Sequence, residues 1–433
     1  MREKQSSLLH TLSALLLPLG LLNAGSALAD DEGENGGPVR LITTIPIPGA
    51  AMKTFDISWV DARSRLYFLA DRSNKAIDVI DTRRNVVVDQ ITGGFAGATG
   101  NNDTSGPNGV VVFGHWLFVT DAPSRVVTID LRTKQIVGEV NTGGAAGLRA
   151  DELAYDARDG LILAVNNADD PPFATLIKVD SSTGALTVQK KIVFADLAHD
   201  PQGSFPAGQV ATNGAEQPVW EPRSGRFFIS IPELNGPGGG AGPTGAVARI
   251  NPSDGAVEQL HLVSRCQPAG LTVGPNEELL VGCSVAFDTN GVVWSLANPL
   301  TKPTAKTAAP ISIIMKAATG EVRTQVAGIS GNDEVWFNHG DGHYYLAARN
   351  QPGGPVLGVV DARSGVLRQV IPTVNQAAVP SPSPQGGTAH SVAVDPRNNH
   401  AFVPLPANNV FPDCLNGCVA VFGTVNRERE RDD

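Results

Sequence analysis

Apolar runs of four to six residues recur along the chain, separated by turns rich in Asp, Asn and Gly, and they alternate between two kinds of unit. One kind is an apolar strand ending in a polar residue, a short turn and another β-rich strand. It covers residues 76–91, 126–140, 176–188, 247–260, 311–326 and 356–370. The other precedes it each time as a β-hairpin: 56–71, 108–121, 151–165, 216–231, 269–283, 333–348 and 390–405. Short apolar runs bounded by such turns are strands buried between stacked sheets, not amphipathic helices. The seven hairpins begin at intervals of roughly 43 to 65 residues, close to the repeat of a β-propeller blade. Four strands per unit, arranged radially, leave only short edges.

The chain ends support a closed ring. The last unit has its hairpin and a third strand at Cys418-VAVFG, then runs into the charged stretch Asn426-RERERDD. A fourth strand is available at the other end, in Arg40-LITTIPIPG. The expectation is an all-β fold, a seven-bladed β-propeller closed by an N-terminal strand. Its segments are a signal peptide at 1–29, a flexible piece at 30–38, the propeller at 39–425 and a charged tail at 426–433.

The leader rests on Arg2, Glu3 and Lys4, an apolar run from Leu8 to Leu22, and Ala27-Leu28-Ala29 before Asp30. Small residues at −3 and −1 fit signal peptidase, and the run is short for a bilayer span. An extracytoplasmic protein, periplasmic or secreted, without membrane insertion is expected. Removing the leader takes away two basic residues and one acidic residue, moving the net charge from −10 to −11. That balance argues against nucleic acid and favours cations. All four cysteines follow the leader. Cys266 and Cys283 flank a hairpin and Cys414 and Cys418 a tight loop, so two local disulfides are expected. Neither pair has the CxxC spacing of a metal site.

Candidate chemistry comes from aligning the hairpins. The residues opening the innermost strands are Asp56, Asn108, Asp151, Glu216, Ala269, Asp333 and His390. A second ring follows, in which Glu152, Gln217, Glu334 and Ser391 are polar. Two unit charges about 6 Å apart repel by roughly 3 kcal/mol at an effective dielectric of 20. Converging carboxylates therefore need a cation, protons or a water-filled channel. The oxygen-rich first ring suggests a divalent cation on Asp56, Asn108, Asp151, Glu216 and Asp333, with Ca²⁺ preferred and Zn²⁺ or Mn²⁺ allowed by His390. A hydrated polar channel is the alternative. The strand-ending Asp81, Asp130, Asp180 and Asp361 read as Asx-turn residues. No GxSxG, HExxH, CxxCH or dinucleotide fingerprint occurs.

The stretches Val79-IDTRRNVVVDQITGG and Thr128-IDLRTKQIVGEVNTGG resemble the YVTN repeat, and Gly106-PNGVVV resembles NHL and SMP-30-like propellers. The resemblance implies a propeller but no single activity. The leading expectation is a monomer that binds a small molecule or a protein partner through its acidic channel mouth. The SMP-30-like resemblance implies an alternative, a metal-dependent lactonase in which Asn108 is a ligand and His390 a general base. A redox-partner subunit is the third reading.

Overall fold

The second strand of each hairpin explains the architecture. In blade 1 the strand Leu66–Asp71 is buried along almost its whole length. Successive side chains point to opposite faces, so Tyr67 and Leu69 join the apolar cluster shared with blade 7. Phe68 and Ala70 join the cluster shared with blade 2. A strand covered on both faces needs no polar alternation, which is why the pattern reads as unbroken apolar runs.

The computed structural model describes residues 37–197, 208–287, 310–374 and 389–424. The leader, the 30–36 segment and the tail after Thr424 lie outside them. The described strands form seven four-stranded antiparallel units. Blade 1 is Ser58–Asp61, Leu66–Asp71, Ala76–Asp81 and Val86–Thr92. Blades 2, 3 and 6 repeat this order. Blades 4 and 5 are joined into one eight-stranded sheet by a parallel bridge between Thr244 and Cys266. Among the described residues, seven buried apolar clusters each bridge two adjacent blades.

Blade 7 is closed as the sequence predicts. Its strands Ala393–Asp395, His400–Leu405 and Cys418–Thr424 are completed by Val39–Pro46, paired from Val39 opposite Thr424 to Pro46 opposite Cys418. The fold is therefore a seven-bladed propeller with an N-terminal closing strand. Gln369 secures the junction to blade 6, accepting from Val39 N at 3.0 Å and donating to its carbonyl at 2.7 Å.

Both expected disulfides form, with Cα separations of 5.2 Å for Cys266–Cys283 and 4.9 Å for Cys414–Cys418. They fit an oxidising compartment. Among the described residues, no helix is long and apolar enough to cross a membrane. The strand-ending aspartates are turn formers. Asp81 accepts from Arg83 N and Arg84 N at 2.9 Å, and Asp180 from Ser182 N at 2.9 Å and Thr183 N at 3.0 Å.

Candidate functional site: a plugged channel with an aromatic funnel

Backbone hydrogen bonds set the register of the channel. Asp56, Asn108, Asp151, Glu216 and Asp333 each donate N–H to the second strand of their own blade, at 2.7 to 3.1 Å. The five are therefore structurally equivalent, as the hairpin alignment requires. The following residues stitch blade to blade. Ile57 N donates to Asn108 O at 3.2 Å, Gly109 N to Asp151 O at 3.0 Å and Glu334 N to His390 O at 3.0 Å. Neighbouring inner strands come so close that a Cβ on Gly109 would lie 2.7 Å from Asp151 O.

The first ring is not an open cluster of oxygens, because three arginines stand among its acids. Arg72 pairs with Asp56 and donates through Nε to Asn108 Oδ1 at 3.0 Å. Arg149 reaches Asp56 at 3.2 Å and Asp151 at 2.7 Å, and Arg349 pairs with Asp333 at 3.0 Å. His390 Nε2 lies 3.1 Å from Asp56 Oδ1, and its ring stacks on Phe55 at 5.1 Å. Asp56, Arg72, Asn108, Arg149, Asp151 and His390 are all buried. This mouth is a salt-bridged plug.

The plug sorts its carboxyls by protonation. Burial opposes the charge of Asp56, but Arg72, the His390 hydrogen bond and Arg149 outweigh it and hold its pKa well below the usual range. Burial, only partly offset by Arg149, pushes Asp151 up to about 7 with help from the Asp56 charge. Glu216 makes no salt bridge among the described residues, and the pull of Arg149 and Arg349 on it is outweighed. Burial and the charges of Asp333 and Asp151 push it up to about 8.

Of the five groups expected to ligate a divalent cation, Asp56, Asn108, Asp151 and Asp333 accept from guanidinium groups, while Glu216 makes no salt bridge among the described residues. Among the described residues, no group of three or more His, Cys, Asp or Glu side chains is arranged to hold a metal. The countercharge demanded by the acid ring comes from Arg72, Arg149 and Arg349. Alignment of strand openings alone misses them. A signal was present, since Arg72 and Arg349 each stand one residue past the second strand of their blade, after Asp71 and Ala348.

The second ring lies beyond the plug and faces a cavity of about 390 Å³ that opens at the other mouth. Ser391 is structural there, its hydroxyl 2.8 Å from that of Ser58 across the junction of blades 7 and 1. Glu152, Gln217 and Glu334 line the inner end of the cavity. Gln217 accepts from Leu271 N at 2.6 Å and donates to Glu334 Oε2 at 3.3 Å. Glu334 is buried and shares a side-chain hydrogen bond with Glu152. Burial raises both glutamates well above the ordinary carboxyl range, reinforced in Glu152 by the Glu334 charge and in Glu334 by the Asp333 and Asp56 charges.

The wall of the cavity is aromatic. Trp59, Phe113, Tyr155, Trp220, Trp336 and Phe337 line it, with Trp59 and Trp336 edge to face at 5.0 Å. These residues come from innermost strands of different blades. Three of the five tryptophans in the chain therefore converge on one funnel. The aligned hairpins contained this signal too, in Ser58-WV, Leu153-AY, Pro218-VW and Val335-WF.

Blades, ion-paired ring and funnel together define a β-propeller whose central channel carries a charged ring and an aromatic-lined cavity. Among solved structures, the chain is similar to Kuenenia stuttgartiensis hydrazine synthase, with a TM-score of 0.59 at 12% identity, over 88% of this chain and 98% of that one. At that identity the likeness is one of fold. No protein-family model and no curated protein matches the sequence.

Proposed function

We propose that this propeller is a binding module for a small molecule, taken into the aromatic funnel of its central channel. The observation that carries this reading is the funnel itself, about 390 Å³ in volume, with the buried carboxyls of Glu152 and Glu334 among its lining. Small-molecule sites are concave and mostly apolar, with a few convergent polar groups, and this cavity has that composition. The plug gives the pocket a floor, so a ligand enters and leaves by one mouth.

The lactonase reading needs the first-ring oxygens for a metal and His390 for a base. Asp56 and Asn108 accept from Arg72, and His390 is stacked and hydrogen-bonded beside them. Binding requires no rearrangement of these groups and is the better-supported function. The disulfides fit binding outside the cytoplasm.

Filling the funnel tests this reading. Thr272 lines it at the place in blade 5 that Trp59 and Trp336 hold in theirs, so Thr272→Trp obstructs it with a residue such a strand accommodates. Wild type is expected to bind a neutral aromatic probe, N-phenyl-1-naphthylamine, saturably and with quenching of tryptophan fluorescence. The variant should bind about tenfold or more weakly while melting normally. Equal binding by the variant, or no binding by wild type, would sink the proposal.

A further inference from the structure

We infer that the funnel selects a primary ammonium ion on an aromatic or apolar body, its nitrogen seated between Glu334 and Glu152. This rests on the funnel being the binding site and adds the class of ligand.

Three observations carry the inference. First, Glu334 is 1% exposed and lines the cavity beside Glu152, with which it shares a hydrogen bond, while its Oε2 accepts from Gln217. Two carboxyls share a hydrogen bond only while one of them holds a proton, and a ligand ammonium can stand in its place as the donor. Second, the arginines are committed elsewhere, Arg72 and Arg149 to Asp56, Arg149 to Asp151 and Arg349 to Asp333. Among the described residues no salt bridge is made to Glu152 or Glu334, and the channel holds six carboxyls against three guanidiniums. Third, the surrounding wall is aromatic, and tryptophan faces attract cations through their ring electrons. An anionic ligand would meet two carboxyls.

Protonation separates this ligand from a neutral one. The groups around the two glutamates are Asp56, Asp151, Glu216 and Asp333, with Arg72, Arg149 and Arg349 behind them. Glu152 and Glu334 share a hydrogen bond, so the empty pocket keeps at least one proton between them. An ammonium replaces that proton, and its affinity must rise with pH. A neutral acceptor would use the proton, and its affinity must fall.

The test compares 2-phenylethylammonium with 2-phenylethanol, two probes of the same shape, by titration calorimetry on the whole protein at pH 6 and pH 8. At pH 8 the amine should bind at least tenfold tighter than the alcohol, with a smaller preference at pH 6. Glu334→Gln should remove that preference, and Glu152→Gln should reduce it if the first variant folds poorly. Alcohol binding as tight as amine binding at pH 8 overturns the inference but keeps the funnel as the site. A preference that survives both substitutions overturns it as well. If neither probe binds, while the naphthylamine probe is also refused, the pocket reading falls with it.

Discussion

At the scale of single residues, the plug is a set of charges whose worth depends on being paired. Arg72 satisfies Asp56 and Asn108 and also donates to Asn102 Oδ1 at 2.6 Å. Arg72→Met would strand a buried carboxylate, and breaking a buried pair from one side costs about 3–5 kcal/mol. Urea denaturation should show a loss of that order. A loss below about 1 kcal/mol would mean that water enters the plug freely. Asp151 and Glu216, raised to about 7 and about 8, predict the pH response. Both hold protons more tightly folded than unfolded. Their stabilisation is complete below about pH 4 and is lost as pH rises through 7 to 8. Asp56 works in the opposite sense, its contribution lost only as pH falls through its depressed pKa. Melting temperature should therefore decline from pH 5 to pH 8, and Asp151→Asn should flatten that decline. A wild-type melting temperature constant over this range would contradict the assignment. The ring acids were legible in the sequence because each opens a repeated hairpin. Their arginines were less so: Arg72 and Arg349 share a place one residue past a second strand, which alignment of strand openings does not reach, and Arg149 comes from a loop outside the repeat.

At the scale of elements, closure and close approach decide stability. The closing strand Val39–Pro46 covers the free edge of Cys418–Thr424 and brings Ile45 into the cluster between blades 7 and 1. A chain lacking residues 1–46 should lose several kcal/mol of stability and tend to aggregate through the exposed edge. Unchanged thermal unfolding would show that the ring closes some other way. Gly270 has the same restriction as Gly109, since an added Cβ would sit 2.4 Å from Asp333 O. These glycines are required where inner strands of adjacent blades touch. The Cys266–Cys283 bridge spans 17 residues across the first hairpin of blade 5. Replacing both cysteines by alanine should cost about 3 kcal/mol by the loop-entropy argument. Denaturation with and without reductant measures that cost.

At the scale of the whole molecule, the channel has two unlike levels, a ring of acids paired with arginines and an aromatic wall around a cavity. The sequence by itself determined the number of blades, the closing strand, the disulfides and the residues at each step down the channel. It could do so because those features are local patterns repeated at blade spacing, and repetition makes register visible. The tertiary structure alone decided which charges neutralise one another and which two glutamates share a hydrogen bond. Some of those pairs lie within one blade, as Arg72 with Asp56 and Arg349 with Asp333, but others join blades far apart in the chain. Arg149 is 93 positions from Asp56 and Gln217 is 117 from Glu334, and only the closed ring brings them within reach of a hydrogen bond.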